Sequence, residues 1–183
     1  MEHDSKVTVK KFNKLQRIIR YSVAVIASVM LILFCIEGYK FYRLSPNKLF
    51  AEKYMAYDLA APDTTESKIE KAFRQKNYTE VIKLNASSAL TVKDVFLTGM
   101  AYLETNDLSK AISSFQVVLA DIKDKTSVLK QAAEYYLALA YLKNNDYDQA
   151  IELMNAIHNN PSHLYTKKFS RKYINRVKRL KWR

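Results

Sequence analysis

Two glycines, three prolines and one cysteine in 183 residues leave this chain almost without breakers, tight turns or thiols. Gly-rich loops that cradle phosphates need several permissive backbone positions close together, so nucleotide-binding folds of that kind are excluded. Cys35 alone cannot build a disulfide framework, and His3, His158 and His163 stand too far apart for metal-ligand spacing. His158 and His163 flank an Asn-Asn-Pro turn and read as solvated. The acid pairs Asp121/Asp124 and Asp146/Asp148 have no nucleophile or base nearby in sequence. The expectation is therefore a non-catalytic protein with no cofactor, no metal site and no catalytic residue. What the chain has in quantity is Lys, Leu, Ala and Tyr, a composition that favours helices and an all-α fold.

Acidic residues are also scarce, 18 against 30 Lys and Arg, and the resulting net charge of +12 is unevenly placed. Residues 1–36 carry six basic and two acidic groups, residues 165–183 nine basic and none acidic, and the stretch between them 15 and 16. The body is neutral and the ends are cationic. A dedicated nucleic-acid binder spreads its cations over a folded surface among accessible aromatics, so nucleic acid is a disfavoured partner.

Long apolar runs are absent except for one. Tyr21 to Ile36 is a stretch of sixteen uncharged residues, nine of them Val, Ile, Leu or Phe. As a helix it spans about 24 Å, and Ile18, Ile19, Gly38 and Tyr39 extend it toward the roughly 30 Å of a hydrocarbon core. Arg20 can snorkel at one end, and Tyr39, Phe41 and Tyr42 form an aromatic belt at the other. A cleaved signal peptide and a buried core helix are the competing readings. Cleavage wants small residues where Phe34, Ile36, Glu37 and Tyr39 stand, and a core helix is rarely apolar on every face. The reading adopted is a single membrane span. Six basic residues precede it and four (Lys40, Arg43, Lys48, Lys53) follow within twenty residues, a bias that places the N-terminus inside.

The second positive signal is self-similarity. GMAYLETNDLSKAISSF (99–115) and ALAYLKNNDYDQAIELM (138–154) align without gaps at an offset of 39. This pattern resembles the tetratricopeptide repeat (TPR), a helix-turn-helix unit with a small residue, Tyr three later, Ala nine later again and a large apolar residue four beyond. Gly99, Tyr102, Ala111 and Phe115 match those positions in the first block, and Ala138, Tyr141, Ala150 and Met154 in the second. The small residues sit where the two helices cross and a larger side chain would force them apart. Asn106 and Asn145 suit a left-handed helix end, and Asp107 and Asp146 suit caps of the following helix. A degenerate copy lies at 72–82, with Val81 in place of the small Ala.

The expected layout is a basic cytoplasmic tail (1–20), a transmembrane helix (21–39), a membrane-proximal segment and linker (40–66), TPR-like repeats (67–164, as 67–89, 92–121 and 128–160) and a basic amphipathic capping helix (165–183). In that last helix Phe169, Tyr173, Val177 and Leu180 form one apolar stripe. Phe50, Tyr54 and Tyr57 are expected to dock on the first repeat. The resemblance implies a partner groove along the first helix of each unit, which maps to Phe96, Met100, Leu103, Tyr135, Leu139 and Leu142. Such a lining suits an apolar helix or extended segment of an unidentified protein. A stack this short can equally bury those side chains as core. The C-terminal cations Lys167, Lys168, Arg171, Lys172, Arg176, Lys178 and Arg179 suit an alternative reading, an electrostatic adaptor whose C-terminal helix binds anionic lipid or nucleic acid. Self-association into a homo-oligomer is a third reading. Taken whole, the chain resembles small single-pass, membrane-anchored TPR proteins of gram-negative bacteria. That resemblance implies an inner-membrane scaffold with its N-terminus in the cytoplasm and its repeats in the periplasm.

Overall fold

A computed structural model describes residues 2–59, 61, 66–86, 90–124 and 126–182, without the side chains of residues 2–19, 24 and 40. The N-terminal cations Lys6, Lys10, Lys11, Lys14 and Arg17 and the Pro-Asp-Thr-Thr stretch at 62–65 lie outside that description. Among the described residues every regular element is a helix, and the chain divides into two compact units, 1–43 and 44–183.

The first unit is one helix, α1 (Glu2–Tyr42). No glycine with a positive φ and no proline interrupts it, so the helix runs straight through the apolar stretch seen in sequence. Its section Arg20–Tyr39 is long and apolar enough to cross a membrane, and none of it is buried.

The second unit contains α2 (Pro46–Lys53), α3 (Lys68–Arg74), α4 (Tyr78–Leu84), α5 (Val92–Glu104), α6 (Leu108–Asp121), α7 (Val128–Lys143), α8 (Tyr147–Asn159) and α9 (Arg171–Leu180). Three hairpins, α3/α4, α5/α6 and α7/α8, follow one another. Each helix from α3 to α8 packs on the next, and α5 also touches α3 and α7. This is a solenoid built on neighbour contacts. Its three hairpin turns share one device. Lys76, Asn106 and Asn145 stand at φ 57°, 65° and 67°. The following amides, of Asn77, Asp107 and Asp146, reach back to the carbonyls of Ala72, Tyr102 and Tyr141 at 3.0, 2.8 and 2.9 Å. That is the helix-ending motif in which a left-handed residue turns the chain and satisfies otherwise orphaned carbonyls. Asn tolerates this conformation; Lys76 adopts it without that advantage, so the turn is preserved in the degenerate first unit.

The caps are distributed differently from expectation. Asp107 and Asp146 hold the N-cap positions of α6 and α8, but neither side chain receives a backbone N–H. The Lys110 ammonium takes the Asp107 carboxylate at 2.7 Å, and the Asn144 amide takes Asp146 at 2.6 Å. Reciprocal capping boxes stand instead at Ser67/Glu70 and Thr91/Asp94. Buried Asp94 also receives the Ser67 hydroxyl at 2.6 Å, so the starts of α3 and α5 are fixed to each other. At the other end, α9 begins at Arg171 behind the N-cap Ser170, later than the apolar stripe from Tyr165 suggests, because residues 161–169 form turns. Phe169 is still buried with Tyr173, Val177 and Leu180.

Gly99 lies where α5 crosses α6. A methyl added there would stand 2.9 Å from Cε1 of Phe115 and 3.0 Å from Cβ of Ser114. Phe115 is fully buried and has no room to yield. Gly99→Val is therefore expected to destabilise the repeats by about 2–3 kcal/mol, overpacking outweighing the loss of glycine entropy. Gly38, with nothing within 4 Å, should accept Ala without loss. Urea unfolding followed by circular dichroism separates the two.

Candidate functional site

The helix-A face, formed by α3, α5 and α7, is the natural candidate for binding. All six groove residues lie on α5 and α7: Phe96, Met100 and Leu103 on the first, Tyr135, Leu139 and Leu142 on the second. All six are buried. The groove differs from an open one because the chain fills it, with α2 and the non-helical residues 54–59 that follow.

The way it fills is informative. An eight-residue helix leaves its last carbonyls without intrahelical partners, and burying them unsatisfied is costly. Tyr135 donates its hydroxyl to the carbonyl of Lys53, the last of α2, while Tyr173 of α9 adds a second donor, at 2.7 Å, to the Leu49 carbonyl that the helix ladder already serves. The chain then leaves the helix at Tyr54, in extended conformation, and Tyr136 donates to the Met55 carbonyl at 3.0 Å. Adjacent tyrosines on α7 thus hold the segment by its backbone. Its side chains are held by rings. Tyr57 meets Phe96 edge-on with centroids 4.8 Å apart, and Tyr136 at 6.2 Å. Tyr54 meets Tyr136 at 6.3 Å, stacks on Phe50 at 4.9 Å and donates its hydroxyl to the Glu104 carboxylate. Phe50 lies beneath the Lys143 ammonium, 4.7 Å from the ring centre. The segment therefore reaches the second and third hairpins as well as the first that the sequence suggested, where Tyr57 lines one cleft with Phe73 and Tyr78 and Arg74 donates to the Leu59 carbonyl.

The repeat-defining residues act as packing. Ala111, Phe115, Ala138, Ala150 and Met154 are buried. Tyr102 is half-buried under the Lys110 ammonium, and Tyr141 accepts the Gln116 amide at 2.9 Å, joining α6 to α7.

Sequence reasoning missed a polar clamp. His163 is buried and not solvated: its Nε2 lies 3.0 Å from the Glu134 carboxylate, and its Nδ1 accepts the Tyr165 amide at 3.1 Å. The accepting Nδ1 fixes the tautomer, so Nε2 carries the proton and donates it toward Glu134. Gln131, also buried, accepts the Leu164 amide at 2.7 Å. Together they bind the 161–169 turns to α7, and Tyr165 stacks on Tyr135 at 4.3 Å. Nothing in the local sequence marks His163, since the carboxylate it meets, Glu134, is 29 residues away.

The C-terminal cations divide into two groups. Arg176 pairs with Glu52 of α2 at 2.5 Å, Lys181 with Asp148 of α8 at 2.6 Å, and Lys168 points at the Met55 sulfur, 3.0 Å away. Lys167, Arg171, Lys172, Lys178 and Arg179 are exposed. Among the described residues no group of three His, Cys, Asp or Glu side chains is placed to hold a metal ion.

Burial pushes the phenols of Tyr54, Tyr135, Tyr136 and Tyr173 far above their ordinary value, and at Tyr54 the Glu104 carboxylate adds to it. A group whose pKa is raised on folding contributes its stability in full below the unfolded value and loses it as pH rises toward the folded one. Stability should therefore hold at neutral pH and fall above about pH 10, by about 1.4 kcal/mol per pH unit for each phenol that stays protonated in the fold. In denaturant titrations across that range, Tyr136→Phe should flatten the slope by one such increment.

A family profile described as a tetratricopeptide repeat-like domain matches residues 18–166. Comparison with curated proteins and with solved structures finds no match.

Proposed function

The chain belongs to the tetratricopeptide repeat-like family, and from that premise we propose that it is a membrane-tethered, non-catalytic scaffold that gathers a protein partner beside the membrane. Repeats of this family are protein-interaction folds. The observation that carries the reading is the seating of residues 53–57, whose carbonyls accept from Tyr135 and Tyr136 and whose aromatic rings enter between Phe96 and Tyr136. The helix-A face thereby displays the chemistry of its ligand: an extended or helical segment with aromatic side chains and backbone carbonyls to offer. The partner inferred is an apolar segment of that kind, taking the path that residues 54–59 now occupy.

The tether is the Arg20–Tyr39 helix, which the family match includes. An apolar helix with no buried surface has no core to stabilise it, and insertion into a bilayer supplies what packing does not. With five cations before it, Arg20 at its first position and four cations soon after, the orientation we infer is N-terminus in the cytoplasm and repeats on the far side of the inner membrane of a gram-negative bacterium, in the periplasm.

Two measurements test this. After expression in a gram-negative host, the full chain should stay in the membrane pellet through alkaline carbonate extraction, and spheroplast proteolysis should remove a C-terminal tag. Release into the supernatant would end the tether, and a protected tag would reverse the orientation. Separately, a labelled peptide of residues 53–59 should bind a Tyr54→Ser/Tyr57→Ser variant saturably and wild type weakly. No binding by a variant with an intact unfolding transition would remove the groove from the proposal.

A further inference from the structure

We propose that the outer face of α9 is a docking site for anionic phospholipid, so that the C-terminal helix lies on the surface of the membrane that α1 spans. This rests on the tether proposed above and adds a second, peripheral contact to it. Helix α9 turns Tyr173, Ile174, Val177 and Leu180 into the fold. With 100° between successive residues, the opposite side carries Arg171, Lys172, Asn175, Lys178 and Arg179, all exposed. No acidic residue occurs anywhere in 165–183. The body supplies carboxylates to Arg176 and Lys181, on the flanks of the helix, where they bind it to α2 and α8. Arg171, Lys172 and Lys178 point elsewhere, into solvent.

Trp182 lies just past the end of this stripe and is 82% exposed, the most exposed large apolar side chain outside α1. An indole left in water beside a row of cations has the composition of an interfacial anchor, apolar ring at headgroup depth and ammonium or guanidinium groups at the phosphates. The chain length keeps α9 within reach of the span. Helix α9 packs on α2, and α2 begins seven residues after Tyr39, a distance of at most about 25 Å even when fully extended. Tethering at that range makes docking an intramolecular event, in which weak contacts count. Each cation brought to an anionic surface strengthens the association about fivefold. A neutral body with cations collected on one helix near the membrane exit fits a bilayer better than it fits a nucleic acid, which would meet charge over a broad face.

The chain has one tryptophan, so its fluorescence reports on this site alone. The full-length protein is reconstituted into nanodiscs of phosphatidylcholine, and into discs with one lipid in three replaced by phosphatidylglycerol. In the anionic discs Trp182 emission should shift to the blue, acrylamide quenching should fall severalfold, and brominated lipid should quench it. About half-molar salt should reverse all three. An Arg171→Gln/Lys172→Gln/Lys178→Gln variant should lose the difference between discs while keeping its unfolding transition. Equal quenching in the two discs, an unaltered shift in the triple variant, or a shift produced by added oligonucleotide but not by anionic lipid would overturn the proposal. Failure to co-elute with either disc would overturn the membrane span, and this docking with it; co-elution with an unchanged Trp182 would overturn the docking alone.

Discussion

The folded unit depends on two hydroxyls. Tyr135 and Tyr136, neighbours on α7, donate to the carbonyls of Lys53 and Met55, and so bind the start of the unit to its last hairpin across more than eighty residues of chain. Neighbouring residues on a helix point about 100° apart, so one tyrosine cannot replace the other. Tyr135 faces the C-terminal turns, where it stacks on Tyr165 and meets Phe169; Tyr136 faces the rings of Phe96 and Phe115. Two adjacent positions on α7 thus serve three packing problems: the α5/α6 hairpin, the membrane-proximal segment and the C-terminal turns.

A solenoid of three hairpins faces a difficulty that longer ones share out. Each hairpin buries only the surfaces its neighbours touch, which leaves both ends and the helix-A face in contact with water. Here the first and last helices of the folded unit close the helix-A face and the α8 end. Helix α9 covers α8 with Tyr173, Ile174, Val177 and Leu180, while α2 and the segment after it cover the helix-A face of α5 and α7. The two covers also meet, through Tyr173 to the Leu49 carbonyl and Arg176 to Glu52. The exposed ion pair adds little, about 0–1 kcal/mol by the usual measure of such pairs. The Tyr173 hydroxyl matters more, since it is buried and without an acceptor would cost about 1–3 kcal/mol.

The parts legible in sequence were those whose cause is local. Gly99 and Ala138 mark helix crossings, and Asn106 and Asn145 mark left-handed turns. Both follow from steric limits on single residues, so they repeat wherever the unit repeats. The turn at Lys76 shows the limit of that logic, because tertiary packing imposes the same conformation on a residue that does not favour it. The groove was legible as six positions but not as an occupied surface. What fills it comes from Lys53 to Leu59, and no periodicity links that stretch to Phe96 or Tyr136. His163 escaped for the same reason, its burial depending on Gln131 and Glu134 one helix away.

A purely apolar groove would not accept an extended peptide, because every residue brings a carbonyl and an N–H that lose their water on burial. The helix-A face meets that requirement with phenols, which present a wide apolar ring to side chains and one donor at the edge to the backbone. Phe in place of both tyrosines would keep most of the ring contact and strand two carbonyls. The aromatic character of this face, which composition alone presents as hydrophobic, is in this respect polar: its selectivity for a backbone running at a fixed height above α7 comes from where two hydroxyls end. That geometric demand separates a site for an extended segment from an ordinary core, where apolar residues of similar volume exchange at little cost.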